Sequence, residues 1–146
     1  MIQLPQYKVF LIKFSSSIHR DLVSRMISRV NGQVAAVADQ EELTGKLLQY
    51  QPEEIAGLIY ELGDGTKSSH LYLSDVEQEN TLRKLRNFVG ADIPIVAIYY
   101  PSSEQDYDLT ATENRLGGYG ADAVLPRPFG FTEFYSALEK ALKKYK

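Results

Sequence analysis

Short apolar runs alternate along the chain with segments of helical period. KVFLIKF (8–14) is β-rich and largely apolar, and the segment after it, SIHRDLVSRMISRV (17–30), carries its apolar residues at helical spacing. That spacing puts Ile18, Leu22, Val23, Met26, Ile27 and Val30 on one inward face, with Ser17 placed to cap the helix. Asn31-Gly32 ends the helix, and QVAAVA (33–38) predicts a second strand. Asp39 and Glu42 form an acidic capping box for QEELTGKLLQY. Pro52 breaks the chain ahead of a third strand, IAGLIYE (55–61).

A Gly, Asp, Ser and Lys mixture over 63–70 reads as a loop. Ser74 and Glu77 make a further capping box, opening a helix with Leu82, Leu85, Phe88 and Val89 inward. IPIVAIYY (93–100) predicts a fourth strand, 109–116 a short helix ended by Gly117-Gly118, and ADAVLP (121–126) a fifth strand. The last helix, FTEFYSALEKALKKYK, has Thr132 as its cap and Phe134, Leu138, Ala141, Leu142 and Tyr145 inward, and its lysines complement the helix dipole. Strands alternating with helices require a parallel sheet covered on both faces. The expected fold is therefore α/β, a doubly wound (βα)5 five-stranded sheet of flavodoxin-like type, in a single domain spanning 1–146.

Composition narrows the function classes. A chain of 146 residues, 44% hydrophobic and 24% charged, can bury one ordinary core. It has no Cys, so disulfides and thiolate metal sites are excluded, and the cytoplasm is the expected location. A net charge of −3 argues against general affinity for nucleic acid, and no apolar run approaches the ~20 residues needed to span a bilayer.

Ligands of doubly wound sheets sit beyond the carboxyl ends of the strands. The residues there are Lys13 and Phe14, Glu61, Tyr99 and Tyr100, and Arg127. GLIYELGDGTKSSH (57–70) has the outline of a phosphate-chemistry site, an apolar strand running into an acid and then Asp-Gly-Thr. In the register of haloacid-dehalogenase-type phosphatases, however, the nucleophile position falls on Leu62, which has no lone pair to attack phosphorus. Asp64-Gly65-Thr66 then reads as a turn. His70 has no second His or Cys nearby and does not read as a metal ligand, His19 reads as solvated, and LRKLR (82–86) reads as a solvated helical face.

From KVFLIKF through VAAVADQEEL, and again in GADAVLPRPFGFTEFYSAL, the chain resembles the receiver domains of two-component signalling, the CheY-like response-regulator family. The likeness covers nearly the whole chain, and the Gly-Ala-Asp, strand, basic-Pro-Phe, helix ending is its more specific part. It implies a phosphoacceptor Asp after the third strand and a Mg²⁺ held by paired acids after the first. A Ser/Thr switch at the end of the fourth strand and a Lys near the phosphoryl group complete the set.

In those places stand Glu61, Lys13 and Phe14, Tyr99, and Arg127. The resemblance thus implies a degenerate pseudo-receiver with no enzymatic activity, metal or cofactor, which signals by binding protein partners. Homodimerisation through the fourth helix, fifth strand and last helix belongs to the same implication. A small-molecule sensor and an atypical phosphorylated receiver are the alternatives. Glu61 is expected to pair with Lys13 or Arg127, and His70, Tyr72, Tyr100 and Tyr107 to form an aromatic rim where partners bind.

Overall fold

Each apolar run predicted as a strand forms one. The computed structural model describes residues 8–63, 75–100 and 108–145. The strands are β1 (Val9–Lys13), β2 (Gln33–Val37), β3 (Ile55–Glu61), β4 (Ile95–Tyr99) and β5 (Ala123–Pro126). They pair in parallel in the order β2-β1-β3-β4-β5. The helices are α1 (Ser17–Arg29), α2 (Gln40–Gln49), α3 (Asp75–Val89), α4 (Leu109–Gly117) and α5 (Phe131–Lys143). The expected α/β fold is the observed one.

Side chains alternate across the sheet with a period of two, which divides the core into two layers. Leu11, Leu58, Tyr60, Ala97, Tyr99 and Val124 pack with Leu43 and Leu47 of α2, Leu82 and Leu85 of α3, and Leu116 of α4. Phe10, Ile12, Ile59, Val96, Ile98 and Leu125 pack with Val23, Met26 and Ile27 of α1, and with Phe134, Leu138 and Ala141 of α5. β1 and β3 are buried along their whole length, as strands covered on both faces must be, whereas edge strand β2 is partly exposed. The strand order reverses direction between β1 and β3, so their carboxyl ends open the crevice where such folds place a site.

Several local expectations are corrected. Ile18 is 75% exposed and Leu22 39%, because the first turns of α1 lie beyond the apolar layer that buries Val23, Met26 and Ile27. Ser17 begins that helix; the N-cap is Ser16, and its side chain makes no capping bond. Phe88 is 51% exposed, while Leu82 and Leu85 are buried as expected. The N-cap of α5 is Gly130, so Thr132 falls inside the helix. Asp39 caps α2 by accepting from the Glu42 N–H at 2.9 Å, but Glu42 reaches back to the N–H of Ala38, one residue before the cap. Ser74 lies outside the described residues, so its capping box goes unseen. Among the described residues, no helix is long and apolar enough to cross a membrane.

Candidate functional site

Alternation along the strands decides which of the predicted site residues meet. Lys13 is the register partner of Tyr60, so both side chains stand on the α2–α4 side of the sheet. Tyr99 belongs to the same layer and is fully buried in the core. The next residue along each chain, Phe14, Glu61 and Tyr100, faces the α1–α5 side, and Arg127 joins them two residues beyond Leu125. The predicted set therefore splits in two.

On the α1–α5 side the Glu61 carboxylate is fully buried and held from several directions. Ser15 donates to its Oε1 from the backbone N–H at 3.2 Å and from Oγ at 3.1 Å. Arg127 Nη2 lies 3.1 Å from Oε2, with the two side chains only 8% and 1% exposed. The Tyr100 hydroxyl donates to the same oxygen at 3.4 Å and accepts from Arg127 Nη1 at 2.9 Å. The Arg127 guanidinium carbon lies 5.1 Å from the ring centroids of both Phe14 and Tyr100, within cation–π range. Burial beside the Glu61 charge raises the Tyr100 pKa above the ordinary phenol range.

The expected pairing of Glu61 with a cation is met by Arg127. Lys13 meets Glu61 differently: its buried ammonium donates to the backbone carbonyl of Glu61 at 3.0 Å and lies 4.7 Å from the Tyr60 ring centroid. The parity of β1 and β3 is the reason, since Lys13 and the Glu61 carboxylate leave the sheet on opposite faces. Tyr60 donates to Gln40 at 2.7 Å, and burial, then the nearby Glu61 charge, pushes its phenol up to about 12.

Besides Ser15, two participants were not read from the sequence. His19, expected to be solvated, stands on the first turn of α1 with Arg127 Nη1 2.6 Å from its Nδ1 and 3.0 Å from its Nε2. Arg20 Nη1 donates to the carbonyls of Phe14 at 2.7 Å and Ser15 at 2.9 Å, pinning the link between β1 and α1 over the site. The available signal was positional: the first turn of a helix that follows a strand lies over the strand ends. His70, Tyr72 and Tyr107, and with them most of the expected rim, lie outside the described residues, as does Asp64-Gly65-Thr66.

A divalent cation does not fit what surrounds Glu61. Mg²⁺ needs a shell of oxygens. Here an ammonium occupies the Glu61 carbonyl, a phenyl ring fills the place after it, and the carboxylate already has donors on both oxygens. Among the described residues, no group of three or more His, Cys, Asp or Glu could hold a metal ion.

The opposite end of the sheet carries a second polar cluster. Asp122 Oδ2 accepts from Arg86 Nη2, the Ile95 N–H and the Tyr145 hydroxyl, each at 2.8 Å. Arg86 also donates to the carbonyls of Gly90, Ile93 and Gly120. It is therefore a part-buried tie between α3 and the start of β5, which corrects the reading of 82–86 as a solvated face. Burial and the bond to Asp122 push the Tyr145 phenol up to about 12. This cluster is closed by its own partners and reads as structural.

No family model matches the chain, and no curated protein matches it. Solved structures do. Full-length FixJ from B. japonicum superposes with a TM-score of 0.67 at 13% identity, over 97% of this chain and 61% of that one. The chemotaxis protein CheY4 of Vibrio cholerae gives 0.65 at 15% identity, over 92% of this chain and 98% of that one. A two-component response regulator from Clostridium difficile gives 0.66 at 18% identity, over 94% and 97%. The chain thus spans 61% of the FixJ chain but nearly all of the other two. At these identities the likeness establishes architecture alone, and that architecture is the CheY-like, flavodoxin-like fold.

Proposed function

We propose that this chain is a receiver-type signalling module that has lost phosphoryl chemistry and acts by binding a protein partner, without enzymatic turnover of its own. One observation carries the reading: the acid in the phosphoacceptor place, Glu61, is fully buried and already bonded to Ser15, Arg127 and Tyr100. An attacking carboxylate needs a free oxygen lined up with phosphorus and a metal to neutralise the transferred charge. Neither oxygen is free here, and the places for the metal-binding acids hold Lys13 and Phe14. The ordinary output of such a site would be replaced by a fixed conformation, with Glu61 bridging the ends of β1, β3 and β5.

The partner surface proposed is the face formed by α4, β5 and α5. A groove of about 450 Å³ runs there, lined by Leu109, Leu125, Pro128, Phe129 and Ala137, with Glu113 and Lys140 among its polar residues. Leu109 on it is 42% exposed. A second copy of the chain is one candidate occupant.

The test is incubation with acetyl phosphate and Mg²⁺, followed by intact mass. The expected result is an unchanged mass. A gain of one phosphoryl group that disappears in Glu61→Gln would overturn the reading.

A further inference from the structure

We propose that His19 is an acid-sensitive latch on this site: its neutral ring holds the first turn of α1 to Arg127, and protonation of the ring releases that turn. The inference rests on the site being closed around Glu61 and names how the closure is regulated. A guanidinium has five N–H donors and no acceptor. Arg127 Nη1, at 2.6 Å from Nδ1 and 3.0 Å from Nε2, touches both ring nitrogens at once and so lies against the face of the imidazole, as a cation meets a ring. That face accepts a cation only while the ring is neutral. Once both ring nitrogens carry protons, two cations face each other at hydrogen-bond distance in a half-buried place, and the contact cannot persist.

Among the described residues, the charged and titratable groups facing His19 come from every element around it. Arg127 stands beyond β5, Glu61 at the end of β3, and Tyr100, which shares Arg127 Nη1, beyond β4. Arg20, on α1 itself, is turned to the Phe14 and Ser15 carbonyls, and the Phe14 ring centroid is 6.4 Å from that of His19. Burial and then the Arg127 charge lower the His19 pKa from its ordinary 6.5, while the Glu61 charge opposes them.

What moves is settled by how each side is anchored. Arg127 is held by the Glu61 ion pair and lies against two aromatic rings. Among the described residues its Nε and Nη2 are buried without a hydrogen-bond partner, the Nη2 contact with Glu61 being an ion pair without an aligned N–H, while its Nη1 keeps the Tyr100 hydroxyl as an acceptor. The start of α1 is the weaker side: Arg20 ties the β1–α1 link to the Phe14 and Ser15 carbonyls, but Ser16 makes no side-chain cap, and Ile18 beside His19 is 75% exposed. Acid therefore swings His19 outward and leaves the Arg127–Glu61 pair in place.

The sign follows. A group whose folded pKa is depressed contributes stability that is complete above its unfolded value and lost as pH falls through the folded one. The latch is closed above about pH 6.5, the unfolded value, and opens below it.

The experiment is a proton NMR titration of the intact chain from pH 8 to 5, with the His19 Hε1 signal assigned by its loss in His19→Gln. The expected midpoint is below 6.5, with amides of Ser15, Tyr100 and Arg127 moving at the same midpoint. In His19→Gln, which keeps an acceptor but cannot titrate, those amides should hold still. Arg127→Met should raise the midpoint, and Glu61→Gln should lower it. A wild-type midpoint at or above 6.5, or unchanged amide movement in His19→Gln, would overturn the latch. Acetyl phosphate labelling does not depend on His19, so the latch and the closed-site reading fail separately.

Discussion

Replacing Glu61 by Gln tests the site most directly, because it removes a charge while nearly keeping the shape. With Arg127 Nη2 at 3.1 Å from Oε2, the pair's Coulomb term is about 5 kcal/mol at an effective dielectric of about 20. The cost of desolvating both charges offsets part of that, and breaking a buried pair by removing one partner typically costs about 3–5 kcal/mol. The Gln carbonyl can still accept from Ser15, which places the loss at the lower end, about 3 kcal/mol. For a chain of this size that corresponds to a fall in Tm of about 6–12 °C. The assay is urea unfolding of wild type, Glu61→Gln, Arg127→Met and the double variant. The expected coupling energy is about 2 kcal/mol, so the double variant is less destabilised than the sum of the singles. Additivity to within about 0.5 kcal/mol would show that the buried contact carries no energy, and the account of the site would be wrong.

Three further outcomes follow from the same geometry. Pairing Lys13→Met with Glu61→Gln in the same urea cycle should give a smaller coupling than Arg127 does, because Lys13 bonds the Glu61 carbonyl, which Gln retains. Gly120→Ala should destabilise by about 1–3 kcal/mol in chemical denaturation: Gly120 has φ +118°, and an added Cβ would lie 2.8 Å from Arg86 Cβ. Tyr145, its phenol pushed up to about 12 by burial and Asp122, contributes stability that is complete below the unfolded phenol value of about 10 and lost as pH rises through the folded one. The urea midpoint should therefore fall less between pH 9 and 11 in Tyr145→Phe than in wild type.

The fold was legible because strand and helix periods differ and each segment kept to one of them. Central strands β1 and β3 are buried at every position and apolar but for the tyrosine and the charges at their carboxyl ends, Lys13, Tyr60 and Glu61, and only a doubly covered parallel sheet explains such runs. The misplaced details sit at helix starts and on helix flanks. Ile18 and Leu22 continue the apolar spacing of Val23, Met26 and Ile27, yet a stripe in sequence does not reveal where the sheet beneath it ends. Thr132 and Ser17 are good capping residues one or two positions inside the true boundary, where backbone geometry, not side-chain chemistry, fixes the start.

The site was legible as a set of positions but not as a set of contacts, and the missing step was the period-two rule applied at the strand ends. Lys13 and Tyr99 are the last residues of β1 and β4, and both lean to the α2–α4 layer. Phe14 and Tyr100 follow them by one residue and lean the other way, where Glu61 and Arg127 also stand. Parity alone therefore selects Arg127 over Lys13 as the partner of the Glu61 carboxylate, and Tyr100 over Tyr99 as the tyrosine that touches it. His19 needed one step more, from the strand ends to the helix turn above them, which sequence spacing cannot measure. A residue's chemical type nominated it for the site; the side of the sheet it leaves from decided whether it belongs there.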